Sequence, residues 1–202
     1  MKNLSFNYAR CWLLLLFLAL AATATTMLGS TSQAWADVIE GTEGDDFIVG
    51  TPEDDVIDSK GGNDFNFGDT FVGDGSGNDV INSGEGDDDN HGDTDFGTGS
   101  GNDVIDSGEG HDTNYGDTTS GTGSGNDIIL SGQGDDINYG DTTAEGEGTG
   151  NDILVSGEED DTNTGNGGRD IFVCGDGEDD TVTDYNEEEG DIATPDCENI
   201  NP

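Results

Sequence analysis

Beyond the first thirty positions, apolar residues occur in short groups at regular intervals. Typical groups run from Asp79 to Ile81 and from Asp103 to Ile105, each with two aliphatic residues directly after an aspartate. Aliphatic β-branched residues favour extended chain, and the glycines that flank each group permit tight turns. No segment repeats apolar residues at helical spacing over a useful length. The pattern therefore predicts many short strands that are joined by Gly-rich turns.

The groups recur with a fixed period, which starts at 9 residues and becomes 24 residues after Asp64. One 24-residue unit consists of two nonapeptides, TGSGNDVID (98–106) and SGEGHDTNY (107–115), followed by the insert GDTTSG (116–121). A third series of Gly-Asp pairs starts the inserts, at 68, 92, 116 and 140. A period of this length predicts a solenoid, in which each repeat stacks on its neighbours.

The two strands of each unit differ at the position that should face inward. One set carries aliphatic residues, which predicts an internal ladder of Ile57, Ile81, Ile105, Ile129 and Leu154. The other set carries amides, namely Asn66, Asn90, Asn114, Asn138 and Asn163. These amides could bond to one another as a ladder. Alternatively, a one-residue slip would turn Phe67, His91, Tyr115 and Tyr139 inward. We favour the Asn ladder, which leaves the aromatic side chains as an outer stripe.

The charge of the chain limits its partners. The sequence has 47 Asp and Glu against 4 Lys and Arg, a formal net charge of −43. Such a balance with low hydrophobicity is typical of disordered chains. Phosphate backbones and anionic membranes would both be repelled, which argues against nucleic-acid and membrane partners. The composition favours cations as partners instead.

The nonapeptide matches G-G-x-G-x-D-x-(apolar)-x, so the chain from about Asp37 to Tyr185 resembles the RTX, or haemolysin-type, calcium-binding repeat. The resemblance implies an all-β fold, a right-handed parallel β-roll with two nonapeptides in each coil. It also implies several Ca²⁺ ions between neighbouring turns, held by turn carbonyls and by the aspartate at the sixth motif position. The carbonyls would include those of Gly99, Gly101, Gly108 and Gly110. The aspartates at the sixth position are Asp46, Asp55, Asp64, Asp79, Asp88, Asp103, Asp112, Asp127, Asp136, Asp152, Asp161 and Asp170.

Calcium chemistry agrees with this expectation independently. Ca²⁺ takes six to eight oxygen ligands, which Gly-rich turns and a regularly placed aspartate can supply. Each ion would also cancel repulsion between stacked carboxylates, so that binding and folding become one event. The alternative is an acidic disordered tail that holds calcium loosely, but such a tail needs no periodic Gly and Ile. His91 and His111 show no catalytic pairing, and we expect no enzyme activity.

The ends of the chain have their own signatures. Residues 1–36 combine Lys2 and Arg10, the apolar run CWLLLLFLALAA (11–22) and the small residues Ala34 and Ala36, which predicts a secretory signal peptide. A retained membrane anchor is the alternative, although the apolar run is short for a span. We expect a secreted protein, with a cell-surface or periplasmic location as the alternative. The roll should then cover 37–166, and the final repeats and a C-terminal cap 167–202.

Cys174 and Cys197 are the two cysteines that remain outside the expected signal peptide. In an oxidising compartment an even count predicts a disulfide, which would staple the cap. Two free thiols or a metal-binding pair are the alternatives.

The biological role stays open between two classes, and the sequence does not identify a protein or surface partner. One class is a structural or adhesive surface module. The other is ice binding, because some RTX-type antifreeze modules resemble xGTGNDx, with rows of Thr and Asn that face the ice. Ser/Thr-Gly-Asn triplets occur here at 76–78, 100–102, 124–126 and 149–151.

Overall fold

The computed structural model describes residues 37–142 and 148–202. Within these residues the chain forms nineteen short strands and no helix, and every strand pair is parallel. The expected all-β parallel solenoid is confirmed. The expected signal peptide lies outside the described residues. Within the described ranges, no helix is long and apolar enough to cross a membrane.

Two eight-stranded sheets form the two main walls of the solenoid. We call them the Ile sheet and the Asn sheet, after the residues that each places in the core. The Ile sheet consists of β1 (Val38–Glu40), β3 (Val56–Asp58), β6 (Val80–Glu85), β9 (Val104–Glu109), β12 (Ile128–Gln133), β14 (Ile153–Glu158), β16 (Ile171–Asp176) and β18 (Ile192–Ala193). The Asn sheet consists of β2 (Phe47–Val49), β4 (Phe65–Phe67), β7 (Asp89–His91), β10 (Thr113–Tyr115), β13 (Ile137–Tyr139), β15 (Thr162–Thr164), β17 (Thr181–Val182) and β19 (Asn199–Ile200).

The inserts build a third wall, which the sequence pattern did not predict. They form a three-stranded parallel sheet, the insert sheet, from β5 (Val72–Asp74), β8 (Phe96–Thr98) and β11 (Ser120–Thr122). Its strands stack through glycine: a side chain on Gly97 would meet the carbonyl oxygen of Gly73 in the coil below. Glycine is therefore required for this close approach of backbones.

The aliphatic ladder of the Ile sheet is confirmed. Each strand pairs with its equivalent one coil away, so that Ile81 lies opposite Ile105 and Ile105 opposite Ile129. These side chains are fully buried and pack into one apolar cluster with Ile48 and Ile57. A single column of one aliphatic residue per coil is a slender core, so other interactions must supply much of the cohesion.

The Asn ladder is confirmed as well, and the one-residue slip is wrong. Asn114 is fully buried, and its Nδ2 donates to Asn138 Oδ1 at 3.0 Å while its Oδ1 accepts from Asn90 Nδ2 at 2.9 Å. The same Nδ2 also donates to Ser107 Oγ at 3.0 Å, across the core from the Ile sheet. Buried serine thus gives each amide a second partner, which satisfies polar groups that would be costly if unpaired.

The aromatic side chains lie on the outer face of the Asn sheet, as the favoured register requires. They form one continuous stack, with ring centroids 4.5 Å apart for Phe67 and His91, and 4.7 Å for His91 and Tyr115. The stripe is not solvated along its whole length, because Phe67 and His91 are buried. Phe71, from the insert, packs edge-on against Phe67 at 5.2 Å. The inserts therefore cover part of the outer stripe.

The C-terminal segment closes the core of the roll. Cys174 in β16 and Cys197 form the expected disulfide, which is confirmed. Together with Leu154, Phe172 and Val182 the two cysteines make a second apolar cluster. Both main sheets run on through this region to β18 and β19. The boundary that we placed after residue 166 stays a prediction.

Candidate metal centres

The sixth-position aspartates stand in two columns, one at each edge of the roll. We call the edge whose turns precede the strands of the Ile sheet the insert edge, because the inserts lie there. The edge whose turns precede the strands of the Asn sheet is the short-turn edge. In both columns the aspartate directly precedes a strand. The insert-edge column contains Asp55, Asp79, Asp103, Asp127, Asp152 and Asp170. The short-turn column contains Asp46, Asp64, Asp88, Asp112, Asp136 and Asp161.

One oxygen of each carboxylate joins neighbouring coils. Asp103 Oδ1 accepts the backbone N–H of Asp79 at 2.7 Å, and Asp112 Oδ1 accepts that of Asp88 at 2.8 Å. The same bond recurs along both columns, and it fixes each carboxylate between its own turn and the turn before it.

The second oxygen, Oδ2, has no such partner in most members of the columns. It is buried and accepts no hydrogen bond from any described residue in Asp64, Asp79, Asp88, Asp103, Asp112, Asp127, Asp136, Asp152, Asp161 and Asp170. A buried carboxylate oxygen without a partner is costly. A bound cation would satisfy it, and a carboxylate beside turn carbonyls is the donor set that Ca²⁺ prefers.

The first two members of the columns differ from the rest. Thr42 donates to Asp46 Oδ2 through its backbone N–H (2.6 Å) and its hydroxyl (2.9 Å). Thr51 donates to Asp55 Oδ2 in the same way. In the first coil, protein donors thus bond to the Oδ2 atom, which has no partner among the described residues further along the roll.

The surroundings of these carboxyls disfavour their charged form. Burial raises the pKa of Asp79, Asp152 and Asp161 to about 8, against an ordinary value of 3.8. Burial, with the charge of neighbouring carboxyls, raises the pKa of Asp103 and Asp127 well above that value. Stacked carboxylates at neutral pH therefore need a compensating positive charge.

The four candidate glycines occupy different places. Gly99 and Gly101 lie in the turn at the insert edge, and Gly110 lies in the short turn. Gly108 lies inside β9, where it pairs with Gly84 and Gly132. The close stacking of coils again demands glycine at Gly101, where a side chain would meet the carbonyl oxygen of Gly77.

The two columns contain acidic residues beyond those that the motif predicted. Asp180 continues the short-turn column, since its Oδ1 accepts the N–H of Asp161 at 2.8 Å and its Oδ2 is buried without a described partner. It holds the sixth position of GDGEDDTVT (175–183), a signal that was present in the sequence. Asp191 and Glu198 end the columns by accepting the N–H groups of Asp170 and Asp180.

Four further aspartates come from the inserts. They follow the glycine that opens each insert and are fully buried: Asp69, Asp93, Asp117 and Asp141. They recur in the sequence with a period of about 24 residues, but the nonapeptide motif does not include them and so predicts no function for them.

His91 and His111 occupy unrelated environments. His91 Nε2 lies 3.0 Å from Asp89 Oδ1 inside the aromatic stack, and its Nδ1 lies 3.1 Å from Thr119 Oγ1. His111 is exposed in the short turn, where its Nδ1 accepts the N–H of Asp135 at 2.9 Å. Neither contact resembles a nucleophile held by a base.

A parallel β-solenoid with columns of buried, half-paired carboxylates at its turns defines a metal-binding repeat protein. The comparison with known families gives the class more narrowly. The model of the RTX calcium-binding nonapeptide repeat matches four segments, 36–65, 98–119, 122–142 and 148–181, which together cover more than half of the chain. The chain belongs to the RTX calcium-binding repeat family. RTX repeats bind calcium, and in this β-solenoid they form a calcium-binding structural module. No curated protein matches the chain.

Proposed function

We propose that this protein is an extracellular calcium-binding module whose β-roll folds when Ca²⁺ binds between its turns. The observation that carries the proposal is the double column of buried carboxylates, each with one oxygen held by the neighbouring coil and the other unpaired among the described residues. The repeats act as structure, and we propose no catalytic activity.

The proposed ligands are the sixth-position aspartates from Asp64 onward, with Asp180 added to the short-turn column. Carbonyls of the turn glycines, such as Gly99, Gly101 and Gly110, would complete the oxygen set that a hard cation needs. Asp46 and Asp55 are the weaker candidates, since Thr42 and Thr51 already bond to their Oδ2 atoms.

Coupling of binding to folding follows from charge and core size. The chain has a formal net charge of −43, and most coils contribute one aliphatic residue to the core. Burial of so little apolar surface cannot offset the backbone entropy and the carboxylate repulsion. Calcium binding supplies the missing free energy, as structural metals do in other small domains.

An extracellular setting suits this chemistry. Extracellular calcium modules bind at about 10⁻⁴ to 10⁻³ M, and a protein that folds on binding would stay unfolded until it leaves the cell. The expected signal in residues 1–36 and the disulfide agree with export. We propose a structural or adhesive role at a surface.

The test is a calcium titration of the full chain by far-UV circular dichroism. The proposal expects a cooperative gain of β signal with calcium, which a chelator reverses. Magnesium at the same concentration should produce little change, because it demands octahedral geometry and dehydrates reluctantly. A spectrum that calcium does not alter would contradict the proposal.

One observation favours ice binding as a second candidate. The Asn residues of the Ser/Thr-Gly-Asn triplets are exposed and hydrogen-bonded in a continuous row, with Asn102 Nδ2 donating to Asn78 Oδ1 at 2.9 Å and Asn126 Nδ2 to Asn102 Oδ1 at 2.8 Å. Ser76, Ser100 and Ser124 are exposed beside them.

A calcium-dependent thermal hysteresis would support ice binding, and Asn102→Asp together with Asn126→Asp should abolish it without loss of the calcium-induced β signal. If the calcium-loaded protein shows no thermal hysteresis, ice binding is wrong and the structural role remains.

A further inference from the structure

The four insert aspartates stack directly on one another at the insert edge. The backbone N–H of Asp69 donates to the carbonyl of Asp93 at 3.1 Å, that of Asp93 to Asp117 at 3.1 Å, and that of Asp117 to Asp141 at 3.2 Å. This ladder places one insert carboxylate in each of four successive coils, and all four are fully buried.

Only one carboxylate oxygen is hydrogen-bonded in three of the four insert aspartates, whereas both oxygens of Asp141 accept the N–H of Gly150 at 3.2 Å. Asp93 Oδ2 accepts the N–H of Gly101 at 3.0 Å, and Asp117 Oδ2 accepts that of Gly125 at 3.0 Å. Oδ1 is buried and has no hydrogen-bond partner among the described residues in Asp69, Asp93 and Asp117. Three fully buried side chains thus each present an unsatisfied oxygen, which points to a ligand.

Successive insert aspartates flank the sixth-position aspartate of the same edge. This gives three triads, in which one oxygen of each member lies within 4.8 Å of one oxygen of both others. The sixth-position member also contributes a buried Oδ2 without a described partner. The triads are Asp69/Asp79/Asp93, Asp93/Asp103/Asp117 and Asp117/Asp127/Asp141.

We propose that these triads are three calcium sites, in which the inserts supply carboxylate ligands that the nonapeptide motif does not contain. The inference rests on the proposed calcium function and names additional ligands for it. Asp93 and Asp117 are shared by adjacent sites. Seven aspartates build the three triads, so that three divalent ions neutralise all but one of their charges.

The series ends where the inserts end. The backbone N–H of Asp141 donates to Asn166 Oδ1 at 3.3 Å. The next coil therefore has an asparagine where the preceding coils have an insert aspartate. A neutral amide thus replaces the next carboxylate. Among the described residues, no triad of this kind includes a short-turn aspartate, because the short turn has no insert.

The two edges should therefore bind calcium with different strength. Calcium affinity rises with the charge of the ligand set, and each triad offers three carboxylates. We expect a tight class of three ions at the triads and a weaker class at the other motif aspartates, which include the whole short-turn edge.

Isothermal titration calorimetry of the full chain with CaCl₂, together with the β signal, tests this assignment. Asp117→Asn removes a carboxylate that two triads share, and it should take about two ions out of the tight class. Asp69→Asn affects a single triad and should remove about one. Asp112→Asn, a short-turn aspartate, should leave the tight class at three ions and reduce only the weak class.

Exposed Asp106→Asn is the control for the loss of a negative charge alone, and should change neither class. The triads are wrong if Asp117→Asn and Asp69→Asn keep the tight class intact, or if Asp112→Asn reduces it as much as they do. Asp69→Asn, at the end of the series, keeps the test decisive should Asp117→Asn fail to fold. If the unaltered chain binds no calcium at all, the proposed function fails with the triads; loss of the triads alone leaves that function standing.

Discussion

At the scale of single residues, one carboxylate has two tasks. Asp112 Oδ1 bonds to the backbone of Asp88, which ties two coils together, while its Oδ2 remains available for a cation. An amide at this position could keep the first bond but not supply the charge. Asp→Asn and Asp→Ala substitutions therefore separate the two tasks.

Asp112→Asn should raise the calcium concentration at the folding midpoint, and Asp112→Ala should raise it further, since the second change also leaves the N–H of Asp88 unpaired. The midpoint of the circular-dichroism titration measures both. Asp106→Ala, on the exposed face of β9, is the control and should not shift it. Equal midpoints for all three variants would contradict the account.

The two Asn rows offer a matched comparison. Asn114→Ala removes one hydrogen-bond partner each from Asn90, Asn138 and Ser107 in a buried network, which should destabilise the calcium-loaded protein by about 2–3 kcal/mol. Asn126→Ala, in the exposed row, should cost less than about 1 kcal/mol, because water replaces the lost bonds. Urea unfolding in saturating calcium measures the difference, and equal losses would argue against a structural role for the buried ladder.

At the scale of elements, the sequence period predicted the strands whose inward position always carries the same kind of residue. The Ile and Asn ladders follow from one aliphatic or amide residue at a fixed offset from each motif aspartate, which leaves little choice of register. The insert sheet could not be predicted, since strands such as Ser120–Thr122 have no apolar pattern. The burial of Phe67 and His91 also depends on the path of the insert, which no local rule fixes. The triads escaped prediction for the same reason: Gly92-Asp93 repeated visibly, but only the coil geometry brings Asp93 beside Asp103.

The cap should matter to stability more than to calcium binding. The disulfide joins residues that are 23 apart in sequence, and a cross-link of this size contributes about 3 kcal/mol. Cys174→Ser with Cys197→Ser should therefore lower the stability of the calcium-loaded protein by about that amount, measured by urea unfolding. The number of bound calcium ions should not fall. A loss of several ions would show instead that the cap holds the turns in place.

At the scale of the whole molecule, the buried carboxylates should make the stability of the fold depend on pH in opposite directions with and without calcium. Burial raises the pKa of Asp69, Asp79 and Asp152 to about 8 from 3.8. A raised pKa in the folded state means that the folded state binds protons more tightly than the unfolded state does. Without calcium, stability is therefore greatest below about pH 4 and falls as the pH rises towards 8.

In the presence of a chelator, the β signal should thus be larger at pH 4 than at pH 8, because protons substitute for cations. With saturating calcium the order should reverse, since protonation displaces the ion. Circular dichroism across this range, with sedimentation to detect aggregation near the pI of 4.1, measures both. A chelated protein with more β signal at pH 8 than at pH 4 would contradict this account of the turns.

The central claim is that calcium converts an expanded acidic chain into a compact roll. Small-angle X-ray scattering of the full chain, with chelator and then with millimolar calcium, tests it most directly. The account predicts a radius of gyration on the order of 45–50 Å without calcium, which falls to roughly 17 Å with it. A chain that is equally compact under both conditions, or equally expanded, would contradict the claim.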